Sequence, residues 1–121
     1  MAHPVMNRMD VEMQQCIADC NACHTICTEA VHHCLSTGGR HAEHAHIVLL
    51  LDCADMCGLS ADSMLRGSEF NTGFCTICAE VCNRCAASCL QFVDDEQMRA
   101  CGEMCHRCAE SCRQMVKMMN M

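Results

Sequence analysis

The chain has no tryptophan and no tyrosine, and its 121 residues include only three phenylalanines and one proline. With no aromatic stacking surface, and fifteen Asp and Glu against eight Lys and Arg, nucleic acid is not an expected partner. Long apolar runs are missing too. The longest, Ile47 to Leu51, spans five residues, against the roughly 20 needed to cross a bilayer, so no membrane partner is expected. The N-terminal stretch has no apolar h-region and no small-residue cleavage site. A cytoplasmic protein is therefore expected, in a compartment that keeps thiols reduced. Leu, Ile, Val and Phe together supply 21 residues, about 17% of the chain. At a net charge of −7, that poverty is typical of disordered chains. What stands in its place is sulfur, as 16 cysteines and 12 methionines.

The cysteines recur at steps of three and four. The runs are Cys16, Cys20, Cys23, Cys27 and Cys34; Cys53 and Cys57; Cys75, Cys78, Cys82, Cys85 and Cys89; and Cys101, Cys105, Cys108 and Cys112. A helix turns once per 3.6 residues, so alternating such steps keeps every thiol on one face. Four helices are predicted. The first starts near Asn7 or Asp10 and runs to about Ser36, before Gly38-Gly39. The second runs from about His41 to Arg66, before Gly67. The third starts at Ser68 or Asn71 and ends near Val93. The fourth is capped by Asp94 with Gln97 as capping-box partner, and runs to about Met118. The short links give one all-α domain over residues 1–121, an antiparallel up-down-up-down four-helix bundle with a cysteine-lined core.

Methionines extend the stripes. Antiparallel threading gathers Met6, Met9, Met13, Met64, Met115 and Met119 at one mouth, where they would pass metal inward. Core filling is the equally weighted role for them. His32, His33, His41, His44 and His46 lie near the other end. His46 stands in the stripe of the second helix, yet His41, His44 and His46 read as surface residues around a helix start, with a secondary surface metal site as the alternative; His24 and His106, beside core cysteines, read as surface or subunit-contact residues. Asp52, Asp55, Glu80 and Glu110 read as solvated, and Ile47, Leu51 and Leu65 as an outer patch for self-association.

Thiols at i and i+4 approach one ion from the same side, which suits Cu(I), a soft ion content with two or three ligands. Seven CxxxC pairs occur: 16/20, 23/27, 53/57, 78/82, 85/89, 101/105 and 108/112. Zinc and iron–sulfur clusters usually want four ligands converging from different directions. The reading is storage or buffering of multiple Cu(I) ions by all sixteen cysteines, with no catalytic step. The alternatives are zinc or general heavy-metal sequestration, a thiol redox protein built on the CxxC spacings, cross-helix disulfides under oxidation, and a plain small-residue core.

The runs Cys16-x3-Cys20-x2-Cys23-x3-Cys27, Cys75-x2-Cys78-x3-Cys82-x2-Cys85-x3-Cys89 and Cys101-x3-Cys105-x2-Cys108-x3-Cys112 resemble those of the bacterial copper storage proteins. The resemblance covers essentially the whole chain. It implies many Cu(I) ions inside each bundle, bound mostly by CxxxC thiolates, and a homotetramer. In the storage reading itself, Cu(I) arrives from a partner, a copper donor or chaperone. With only two cysteines, the second helix is expected to lack sites in its upper half, from His46 to Leu50.

Overall fold

A computed structural model of the chain describes residues 8–120, with side chains from residue 10 onward. Its helices are α1 (Arg8–Thr37), α2 (His44–Leu65), α3 (Asn71–Cys89) and α4 (Glu96–Met119). Each packs against its two neighbours in the ring α1–α2–α3–α4. Met6 lies outside the described residues, and of Met9 only the backbone is described.

The helix ends follow local chemistry. α1 stops where Gly38 takes a φ of 75°, a conformation that costs glycine little. Its N–H closes the last turn on Cys34 O at 3.0 Å. α2 ends in a Schellman motif. Gly67, at φ 65°, donates to Met64 O at 3.3 Å, and Ser68 donates to Ser63 O at 2.9 Å, satisfying carbonyls the helix leaves open.

Three boundaries differ from expectation. α2 starts at His44 instead of His41, because Gly39–Ala42 forms a separate 3-10 turn. α3 ends at Cys89 instead of near Val93. The cap of α4 is Asp95 and not Asp94: Asp95 Oδ1 accepts the Met98 N–H at 3.1 Å. Either of two adjacent aspartates can cap, and the position of the preceding turn selects the second.

All sixteen cysteines are fully buried and unpaired. Alanines fill the gaps between them, and Leu50, Met98 and Met115 are the largest fully buried side chains. The fold therefore places thiols where a bundle ordinarily places leucines. Close approach of α3 and α4 depends on Gly102, where an added Cβ would stand 2.7 Å from Leu90 Cγ.

Candidate metal centre

Each helix turns its sulfur stripe inward, so the core is a ladder of thiols running along the bundle axis. Cys16, Cys75 and Cys112 form its rung nearest the methionine end. Cys112 also joins Cys20, Cys78 and Cys108 in the next group. Then come Cys57, Cys78, Cys82 and Cys108; Cys23, Cys53, Cys57 and Cys82; and Cys23, Cys27, Cys53 and Cys105. Within each group the sulfurs lie within 4.8 Å of one another. Cys27 continues the line to Cys101 at 3.7 Å, and Cys85 and Cys89 are fully buried with it.

The tightest contacts cross between helices. Cys57 and Cys82 stand 3.4 Å apart, Cys27 and Cys105 3.6 Å, and Cys20 and Cys108 3.6 Å. The same-helix pairs Cys23/Cys27 and Cys78/Cys82 are wider, at 3.9 and 3.8 Å. CxxxC spacing thus supplies the stripe, while the closest donor pairs come from facing helices. Metal–sulfur bonds of about 2.3 Å put tetrahedral sulfurs about 3.8 Å apart, so the ladder is already spaced to hold soft ions.

Groups this close cannot all carry charge together. Cys23 and Cys78 are held below the ordinary thiol value, chiefly by hydrogen bonds to Cys105 and Cys108 respectively. Cys20 and Cys57 are pushed up, each with its bond to Cys108 as the largest cause. At the methionine end Cys75 is pushed up to about 12, first by its bond to Cys112. A thiophilic ion that displaces these protons relieves both burial and repulsion.

The methionines expected at one mouth divide in two. Met64 and Met115 are buried within the core, whereas Met13 and Met119 pack against it half-exposed. Thr72 Oγ1 donates to Met119 Sδ at 3.2 Å.

The opposite end differs from expectation. His46 is buried, not on the surface: only 5% of it is exposed. Its Nε2 lies 3.4 Å from Cys34 Sγ, and its Nδ1 lies 2.7 Å from Ser88 Oγ. Met98 Sδ is 3.5 Å from the same Cys34 Sγ. Burial lowers the His46 pKa and pushes the Cys34 thiol up to about 11. Outside this cluster, Asp95 Oδ2 bonds His33 Nε2 at 2.7 Å and His41 Nε2 at 2.9 Å. Burial opposes ionisation of Asp95, but the bonds from His33, the Met98 N–H and His41 outweigh it and hold the carboxyl at about 2. The Phe92 ring covers both layers, 4.1 Å from His41 and 5.0 Å from His46 between ring centroids.

Sequence reasoning passed over three buried polar residues. Ser63 is fully buried, and its Oγ donates to Ser60 O at 2.8 Å. Asp19 is bonded to Gln15 and Ser111. Ser60 is fully buried, and its hydroxyl has no partner among the described residues. The signal for Ser60 was present, since it sits between Cys57 and Met64 at stripe spacing. His24 is exposed, as expected, but its Nδ1 lies 2.7 Å from Ala54 O on α2. Asp52, Asp55, Glu80, Glu110 and His106 are exposed, as are Leu51 and Leu65, while Ile47 is half-buried. Among the described residues no helix is long and apolar enough to cross a membrane.

A sequence model of the family described as "Copper storage protein" matches residues 9–117. Among solved structures, a protein of Nitrosospira multiformis is 41% identical with a TM-score of 0.84, the match covering 90% of this chain and 98% of that one. The Cu(I)-bound copper storage protein BsCsp3 of Bacillus subtilis is 32% identical with a TM-score of 0.81, covering 87% of this chain and 98% of that one. The copper storage protein Ccsp of Streptomyces lividans, loaded with 10 copper equivalents, is 26% identical with a TM-score of 0.79, covering 96% and 93%.

Proposed function

The chain belongs to the copper storage protein family, and from that premise we propose that it stores multiple Cu(I) ions on the sixteen thiols of its core. One observation carries the reading: the thiol groups overlap. Cys23, Cys53, Cys57, Cys78, Cys82, Cys108 and Cys112 each belong to at least two groups. Shared donors favour an ion that accepts bridging thiolates at low coordination number, which is Cu(I). Four-thiolate zinc sites would compete for the same sulfurs and leave neighbouring groups incomplete. With bridging, capacity approaches roughly one ion per thiol, and shared charge reduces the cost of burying thiolates.

The role is cargo holding, without a catalytic step. A surface hollow between α3 and α4 is lined by Thr76, Glu80, Asn83, Glu110, Arg113 and Lys117 among others, and the proposed role makes no use of it. We place the protein in the cytoplasm, where its thiols stay reduced. Copper is passed to it by a donor or chaperone. The exposed apolar side chains Leu51, Leu65, Phe70 and Ile77 support self-association, as a homotetramer. Met13, Met64, Met115 and Met119 form the mouth that admits metal; Met6 and Met9, assigned to it from the sequence, have no described side chains.

Anaerobic titration of the reduced apo-protein with Cu(I), against a chromophoric Cu(I) chelator, tests the storage reading. Uptake of about ten or more ions ahead of the chelator is expected. Saturation at a few ions, or preferential retention of Zn(II) at neutral pH, would overturn it.

A further inference from the structure

Cys34 stands apart from the ladder, because its hydrogen-bonding partners are an imidazole and a thioether. We propose that Cys34 Sγ, His46 Nε2 and Met98 Sδ form a separate three-coordinate Cu(I) site that closes the histidine end of the bundle. The proposal rests on the storage reading and adds two ligands, His46 and Met98, to it.

Three helices supply the donors: α1 brings Cys34, α2 brings His46 and α4 brings Met98. Both partners stand close to the Cys34 sulfur, His46 Nε2 at 3.4 Å and Met98 Sδ at 3.5 Å. A trigonal ion with bonds of about 2.0 Å to nitrogen and 2.3 Å to sulfur needs donors about 3.7–4.0 Å apart. Uptake therefore asks the three to part by about half an ångström, which a thioether on three rotatable bonds can accommodate.

The imidazole is prepared for the task from behind. A metal-binding histidine usually has its second ring nitrogen fixed by a hydrogen bond, which sets tautomer and ring orientation. Ser88 Oγ, 2.7 Å from His46 Nδ1, takes that role here. With Nδ1–H donated to Ser88, the Nε2 lone pair faces Cys34. Phe92 lies over the ring and shields the site from water. On α2, Leu50 stands between His46 and Cys53 and is fully buried, so that helix offers no thiol at this level.

Charge separates the two kinds of site. Cu(I) held by two thiolates carries a net charge of −1, whereas Cu(I) with one thiolate and two neutral donors carries none. At the end of a buried column of sulfur the neutral arrangement avoids adding charge to a dry interior. Binding at Cys34 releases one proton from its thiol and none from His46 or Met98.

The test uses the whole chain with 15N-labelled histidine, reduced and titrated anaerobically with Cu(I), followed by long-range 1H–15N correlation and by ultraviolet thiolate-to-Cu(I) absorption. The expected result is a shift of the His46 Nε2 resonance during the titration. His46→Phe and Met98→Leu, which keep ring and volume, are each expected to lower capacity by about one equivalent with helical content unchanged. Normal thiolate absorption up to saturation with the His46 Nε2 resonance unmoved overturns the proposal and leaves storage standing. Unchanged capacity in both variants does the same. Absence of thiolate absorption altogether overturns the storage reading, and this site with it.

Discussion

The two ends of the bundle close the same column of thiols with different chemistry. At the histidine end α2 interrupts the stripe with Leu50, and the layer above it is hydrogen-bonded throughout: His46 to Ser88, and Asp95 to His33, His41 and the Met98 N–H. At the methionine end α2 interrupts the stripe with Ser60, whose buried hydroxyl has no partner among the described residues, and thioethers form the cover. One end is anchored by an apolar plug and directional bonds, and the other by soft, unbranched side chains that repack readily. Rigidity belongs to the first end and adaptability to the second.

The largest expected difference lies in the plug. Leu50→Ala removes one of the few large side chains in a core of cysteine and alanine. It should destabilise the apo-protein by about 3 kcal/mol, as burial loss and cavity terms add. Urea unfolding of reduced apo-protein measures this, and a cost below about 1 kcal/mol would show that the thiols around Leu50 collapse into the space.

Asp95 comes next. Asp95→Ala loses both a helix cap and the anchor of two histidines, at about 1–2 kcal/mol. Asp95→Asn keeps a cap acceptor but removes the charge, which separates the two roles. Because the folded carboxyl sits at about 2, below its ordinary 3.8, its contribution is complete above the ordinary value and fades as pH falls through 2. The wild type should therefore lose stability across that window more steeply than Asp95→Asn, as acid titration of thermal unfolding would reveal. Equal slopes would mean that His33 and His41 bind the carboxylate no better than water does.

These boundaries mark how far the sequence could be read. The stripes were legible because helix periodicity alone decides which residues share a face, and every cysteine obeyed it. The bundle and the ladder followed from that. Asp95 against Asp94 was not legible, since both satisfy the local capping pattern and only the path of residues 90–95 selects between them. His46 carried conflicting signals: its spacing put it in the α2 stripe, while its histidine-rich surroundings suggested solvent. Spacing prevailed because Cys34, Ser88 and Phe92, far apart in sequence, converge on it. The dominance of cross-helix over same-helix sulfur contacts was likewise hidden, since it depends on the register between helices.

The methionine end should respond in the opposite direction from Leu50. Ser60→Ala deletes a buried hydroxyl with no partner among the described residues and adds helix propensity, for a gain of about 1 kcal/mol in the same urea experiment. A loss would mean that the hydroxyl has a partner in solution, such as a water.

The smallest thermodynamic effect should fall on Met13 and Met119, and there the readout is kinetic. Both are half-exposed on the core's edge, one helical turn or two beyond Cys16 and Cys112, so an arriving ion can meet their sulfurs before any thiol. Thioether is neutral and releases no proton on binding, which suits transient capture and onward transfer to thiolate. Replacing both by Leu keeps volume and should cost little stability, under about 1.5 kcal/mol each. Capacity should stay that of the wild type, while stopped-flow loading from a Cu(I)-chelator complex should slow several-fold. Met98→Leu should show the reverse, unchanged initial loading and lower capacity. If the Met13 and Met119 replacements leave loading untouched while Met98→Leu or His46→Phe slows it, metal enters at the histidine end, and the methionines are filler for the end that stays shut.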